Sequence, residues 1–347
     1  MKKATLIFIG FLSMSFIYAQ DITDALRYSK DGIQGTARFK ALSGAFGALG
    51  GDMSAISINP AGSSVFNASH FSLTLSNEYD KKDIQYYNGF DNASNSNFDL
   101  NQIGAAFIFK NGNSESDWKK FTLGISYNKI DDYENGWFVQ GTNPTNSIGS
   151  YFLEYANGLR LDEISAFEGE SYSSAYLDIG NIYGYGNQQA FLGYESYILE
   201  PDANEDANTQ YSSNISGGNY NQKYYYASNG YNGKFTVNAS TQYGDNLFLG
   251  MNLNTHFINY ERSTLIVENN DNAESLIKEV GFENNLFTIG SGVSLQFGGI
   301  IKPIEQLRIG LAYDTPTWYY IRDETTQNIA ATRDESGTLI TQIINPQ

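Results

Sequence analysis

The chain has 347 residues and no cysteine, and it sets 21 Lys and Arg against 38 Asp and Glu for a formal net charge of −17 at pH 7. The missing thiols exclude disulfide and thiol chemistry, and the acidity argues against nucleic acid or an anionic surface as partner, leaving solvated exposed loops as its meaning. With 34 Gly, 26 Tyr and 22 Phe but no run of about eighteen apolar residues beyond the N-terminus, no spanning helix is expected; a membrane protein built of strands remains open.

In chain order, Met1-Lys2-Lys3 supplies a basic start, Leu6 to Ile17 an apolar stretch and Ile17-Tyr18-Ala19 a small-residue cleavage site. This reads as a signal peptide over residues 1–19, with the mature chain starting near Gln20 or Asp21. The apolar stretch is too short to serve as a mature membrane anchor. A Gly-rich run from Ala41 to Gly62 follows. In it Asn59 can hydrogen-bond its own turn, Pro60 fixes the backbone, and Ala61-Gly62 permit close approach to a strand, so residues 20–66 are expected to form a compact plug.

Period-two alternation then dominates. Phe71, Leu73 and Leu75 oppose Ser72, Thr74 and Ser76; Phe121, Leu123, Ile125 and Tyr127 oppose Thr122, Gly124, Ser126 and Asn128. The same pattern returns at Phe235–Tyr243, Leu247–Phe257, Phe287–Phe297 and Leu307–Tyr313. A soluble sandwich would also alternate. The polar positions decide between the two, being Ser, Thr, Gly, Asn and Gln, which suits a lumen filled by a plug better than a freely solvated surface. About seven strands are expected, near residues 70–80, 100–110, 119–140, 222–243, 247–262, 285–297 and 307–322. Short links at 111–118, 244–246 and 298–306 alternate with long polar ones at 81–99, 141–221 and 263–284, which places the long links outside the cell and the plug on the periplasmic side. In the third strand the alternation breaks after Tyr127 at Asn128-Lys-Ile-Asp-Asp132. An exit of the strand into the headgroup zone is the expectation there, with an inward kink as the alternative. An odd strand count and a tail without a terminal aromatic lead to the expectation of a C-terminally truncated chain whose barrel is partial over residues 67–347.

The insertion 141–221 is the least regular stretch. Ile148, Tyr151, Phe152, Tyr155 and Leu159 fall at helical spacing, and Phe191, Leu192, Tyr194, Tyr197, Ile198 and Leu199 form a second apolar patch. Either this surface captures a ligand or it packs on itself as a small cap. Enzyme motifs are missing: His70 and His256 stand on separate strands, and no nucleophile elbow or phosphate loop occurs in context. No enzyme activity, metal or cofactor is expected. The acidic clusters at Asp131-Asp132 and Asp202 to Asp206 lack the ligand spacing of a calcium loop and read as solvated charge.

The run Gly50-Gly51-Asp52 through Ala55 to Asn59-Pro60-Ala61-Gly62 resembles the hatch segment of the FadL/TodX family of outer-membrane channels. The resemblance is specific over about residues 20–66 and architectural elsewhere. It implies an all-β fold, a transmembrane antiparallel barrel of fourteen strands in a complete protein, with the hatch in its lumen. It further implies residence in the outer membrane as a monomer among its lipids, delivery by the barrel-assembly machinery, and passive uptake of hydrophobic molecules such as long-chain fatty acids or aromatic hydrocarbons. Gly50, Gly51, Asp52, Asn59, Pro60, Ala61 and Gly62 would then gate the path. Tyr151, Phe152, Tyr155, Leu159, Phe191, Leu192, Tyr197 and Ile198 would capture substrate on the external loop. The family also carries a kinked third strand with a side opening. A surface binding or adhesion protein, or a receptor for a flat ligand such as haem, is the alternative.

Overall fold

The computed structural model describes residues 22–30 and 32–346. The leader, its cleavage site and the expected mature start at Gln20 or Asp21 lie outside the described residues. Chain contacts divide the protein at residue 33, and the first unit contributes helix α1 (Ile22–Ser29). Strand takes 55% of the structure and helix 17%, and no helix among the described residues is long and apolar enough to cross a membrane, so the fold is all-β.

The second unit is one large antiparallel sheet. Its path runs β1 (His70–Tyr86), β2 (Gly89–Lys110), β3 (Trp118–Asp132), β7 (Tyr220–Tyr243), β8 (Leu247–Asn269), β9 (Ile277–Ile304), β11 (Trp318–Glu335) and β12 (Thr338–Ile344). Beyond β3 the chain resumes as β4 (Asn135–Asn143) against β7, and β10 (Leu307–Asp314) precedes β11 against β9. The path therefore has eight strands, not seven. The added one is the tail hairpin, whose Asp334-to-Thr338 turn carries Gly337 at φ 87. With it the strand count along the path, among the described residues, is even.

The stretches expected as long loops at 81–99 and 263–284 are instead mostly strand. β1 and β2 pair without a break from Lys81↔Ser94 to Tyr86↔Gly89, around a two-residue turn at Tyr87-Asn88. β8 and β9 pair up to Asn269↔Glu279. These hairpin ends lie at the same end of the sheet as the insertion between β4 and β7.

The two faces of the sheet differ sharply. One is an exposed apolar belt near the opposite end: Leu73 and Leu75 on β1, Leu123 and Ile125 on β3, Leu249, Met251 and Leu253 on β8, Val293 and Phe297 on β9. Aromatic rings bound it. Trp118 meets Tyr243 edge-on at 5.0 Å at one limit, and Tyr127 stacks on Phe257 at 5.9 Å at the other. The opposite face buries Asn, Gln, Ser and Thr at this level and large apolar side chains nearer the insertion.

Candidate functional site

Two bodies sit on the polar face. The first is the segment 34–66, where short 3-10 helices at Ser54–Ser57 and Pro60–Val65 turn about Asn59. Asn59 caps the second helix by accepting from Ala61 N at 3.1 Å. Its amide nitrogen donates to Gly47 O at 2.7 Å and to Gly299 O of β9 at 3.1 Å, so one side chain closes the turn and fastens it to the wall. Gly50 and Gly51 adopt φ 60 and φ 67, and Gly51 N donates to Gly62 O at 3.0 Å. A Cβ on Gly50 would lie 2.6 Å from Val65 Cγ2 and 2.9 Å from Gly62 O, so the left-handed glycine lets this loop fold against the turn. Asp52 is buried and accepts from Ser54 N at 2.9 Å and from the Thr36 hydroxyl at 2.8 Å, tying the start of the segment to its middle.

The wall below is built to receive this segment. Asn238, Asn252 and Gln296 stand in one row across β7, β8 and β9 and bond in series, each contact at 2.7 Å. Each amide also reaches the segment's backbone: Asn238 donates to Pro60 O at 2.9 Å, Asn252 to Ile56 O at 2.8 Å and Gln296 to Ser57 O at 3.1 Å. One row further on are Ser240, Gly250 and Gly298. A Cβ on Gly250 would meet Pro60 backbone at 2.4 Å, and one on Gly298 the Asn59 oxygen at 2.0 Å. Neither neighbour is the loose end of a flexible chain, so only glycine fits. The sequence signal for this cradle was the run of small and amide residues at even positions; which residues meet in a row required the register.

The second body is the insertion. With the short helix Ala37–Ala41 of the first body counted as α2, the insertion folds as α3 (Gly149–Ala156), α4 (Tyr172–Ile182) and α5 (Tyr185–Glu195), plus a small hairpin of β5 (Leu199–Pro201) and β6 (Tyr211–Ser213). Phe152, Phe191, Leu192 and Ile198 are fully buried in its core, which continues onto Val280 and Phe282 of β9 and Ile329 of β11. These four expected capture residues hold the cap together and are out of reach of a ligand arriving from outside. Tyr155 and Leu159 pack partly buried against the same core, and the exposed Tyr197 ring is covered by Arg333, 4.0 Å from its centroid. Tyr151 of the expected set lines a cavity. Its hydroxyl donates to Gln189 Oε1 at 3.0 Å, and burial drives its pKa far above the usual phenol value.

That cavity, of about 280 Å³, lies between cap and wall. Tyr86, Ile148, Tyr151, Tyr224, Ile266 and Phe282 give it apolar sides, with Gln222, Thr264 and Asn284 as polar spots. Gln222 accepts from the Tyr86 hydroxyl at 2.6 Å and donates to the buried Glu268 at 2.6 Å. The sequence reading missed it because its walls come from β1, β7, β8, β9 and the cap at once.

The third strand neither leaves the sheet nor stays continuous. β2 and β3 pair only from Gln102↔Asn128 to Lys110↔Lys120. Above Asn128 the strand breaks at Tyr133-Glu134 and resumes as β4, and both parts pair with β7. Over this length β2 shares no ladder with β3 or β4, and side chains bridge instead. Lys129, buried, contacts Asp99 of β2 at 2.7 Å and Asp132 at 2.8 Å, while Asn97 of β2 donates to Asp132 at 2.6 Å. Asp132, taken from sequence as solvated loop charge, is thus part of a cross-strand contact. Compared with family models, curated proteins and solved structures, the chain matches none.

Proposed function

We propose that this chain is a FadL/TodX-like outer-membrane channel for passive uptake of hydrophobic molecules, with segment 34–66 as its hatch and no cofactor. The observation that carries this reading is the two-faced sheet: an apolar, ring-bounded belt on one side and, directly behind it, an amide and glycine cradle occupied by the chain's own plug. Such a belt is suited to lipid, and a tilted strand needs only about ten residues to cross the hydrocarbon layer. Closure of these strands into a barrel with the hatch inside is part of the proposal.

The cavity under the cap is the first resting place for substrate, and the unladdered length between β2 and β3–β4 is the side opening by which it leaves. Lys129, Asp99 and Asp132 close that opening in the resting form. The test compares uptake of a long-chain fatty acid, an aromatic hydrocarbon and haem in cells with and without the gene. Gene-dependent entry of either hydrophobic compound is expected, and unchanged entry of all three would overturn the reading.

A further inference from the structure

Arg262 stands on the polar face of β8, paired across the ladder with Ser228 of β7 and Leu286 of β9. Two and four residues further along the same face are Thr264 and Ile266, both in the cavity wall. The guanidinium also acts on a third wall residue: burial raises the pKa of the Tyr224 hydroxyl, and the positive charge of Arg262 works against that rise. Among the described residues no carboxylate forms an ion pair with Arg262, and its Nε is buried without an acceptor. Lys129, Arg322 and Arg333, also on strands, all have acidic partners. A guanidinium with a buried, unsatisfied Nε and no counter-charge carries a cost, and guanidinium is the side chain best shaped to take an oxyanion in a partly dry site.

The surroundings of Arg262 are aromatic. Tyr260, two residues before it, meets Tyr133 edge-on at 5.1 Å and lies with its hydroxyl 3.4 Å from that of Tyr226. Tyr226 stacks on Trp137 at 5.2 Å with planes 8° apart, and Trp137 lies 5.2 Å from Tyr224 at the cavity wall. The result is a run of ring faces and edges from cavity to lumen with one unpaired guanidinium beside it. Flat rings gain offset-stacked and edge contacts from such a run that a flexible alkyl chain does not.

We propose that Arg262 selects the charge of the cargo and that the favoured substrate is an aromatic acid, a planar ring system bearing a single carboxylate or sulfonate. The oxyanion is held by Arg262 and the ring by Trp137, Tyr226 and the Phe282 side of the cavity. This rests on the channel reading, within which it narrows the substrate class.

The test is calorimetric binding at pH 7 to the protein in lipid nanodiscs, with 2-naphthoate, neutral 2-naphthol and decanoate as probes, alongside uptake of each by cells. Binding is expected to be tightest for 2-naphthoate. Arg262→Gln should weaken 2-naphthoate by about tenfold or more, the scale of a charge-assisted hydrogen bond, and leave 2-naphthol unchanged. Arg262→Lys should restore part of the loss, and Trp137→Ala should weaken both ring compounds. An Arg262→Gln protein with undiminished 2-naphthoate affinity overturns the charge assignment, and decanoate binding as tightly as 2-naphthoate overturns the aromatic one. In either case gene-dependent uptake leaves the channel intact. Failure of all three probes to bind or enter removes the channel reading itself.

Discussion

The plug and the cap sit on the same face of the same sheet and are held there by different physics. Under the plug the wall offers chiefly amides and missing side chains: Asn238, Asn252 and Gln296 reach backbone carbonyls, Gly250 and Gly298 leave room for the Asn59-Pro60 turn, and the apolar contacts are two small clusters, Ala61 on Phe248 and Ile300, and Met53 and Ile56 on Ala106. Under the cap it offers Val280, Phe282 and Ile329, and the contact is a continuous apolar core. Hydrogen bonds to a backbone are directional and each nets only about 1 kcal/mol, because water can replace the partner. Apolar burial is non-directional and accumulates with area. A body held mainly by exchangeable hydrogen bonds can be released into water at smaller cost than one held by a continuous hydrophobic core. On the channel reading proposed above, a moving hatch beneath a fixed cap would need this difference.

The largest effect expected from this comparison is in the cap. Phe152→Ala empties a fully buried site between cap and wall and should cost about 3–5 kcal/mol locally. Hydrogen exchange should show residues 149–199 loosened while the belt strands keep their protection. Equal loosening of the belt would mean that cap and sheet unfold as one unit and that the contrast is false.

Next comes the glycine cradle. Gly250→Ala places a methyl 2.4 Å from the Pro60 backbone, a strain of about 1–3 kcal/mol borne by the plug, since β8 is fixed on both sides. Single-channel conductance should rise while heat-modifiable gel mobility stays that of the folded protein. Wild-type conductance in a folded variant would show that the plug tolerates the methyl without moving. Asn59→Ala is gentler. It removes the bonds to Gly47 O, Gly299 O and Ala61 N, about 1–3 kcal/mol when the buried partners are left unpaired, and Pro60→Gly loosens the same turn by up to about 1 kcal/mol. Both should change transport with folding intact; a folded Asn59→Ala protein with unchanged uptake would leave the turn structural only.

What the sequence disclosed follows the same division. The belt portions of the strands were readable because apolar and small polar residues alternate there, as at Leu247 to Phe257. The upper portions were not. At 81–99 both faces carry Asp, Asn, Ser and Lys, so no period shows, and the strands are set by their mutual ladder. The turn added to the difficulty, since it is Tyr87-Asn88 and lies one residue before the Asn88-Gly89 pair that would signal it. The plug motif was legible as a turn, but its partners lie about 180 to 250 residues away, at Asn238, Gly299 and Leu311, and register alone brings them together. In the insertion the spacing of Tyr151, Phe152 and Tyr155 gave the helix; spacing cannot say which of its faces meets a wall and which a ligand.

The smallest effect expected concerns the seam between cap and wall, at Glu268. This carboxyl is buried at the upper end of β8, above the belt, and accepts from Ile148 N at 2.8 Å and from Gln222. Burial raises its pKa, and the two hydrogen bonds oppose the rise without cancelling it. The folded state therefore holds the proton more tightly than the unfolded chain, whose value is about 4.5. On that sign the cap is most stable below about pH 4.5 and loses stability as pH rises from there through the folded-state pKa, with no further loss above it. Glu268→Gln keeps an acceptor for Ile148 N and Gln222 and removes the ionisation. It should flatten this part of the pH dependence and match or exceed the wild-type cap at pH 7, by no more than about 1 kcal/mol because Gln must also place a new donor. Proteolytic cleavage rates within residues 141–221, followed from pH 4 to 8 in both proteins, would show it. A Glu268→Gln cap that is cut faster at pH 7 than the wild type would mean that the carboxylate's stronger hydrogen bonds outweigh its burial, and that the seam is held by charge after all.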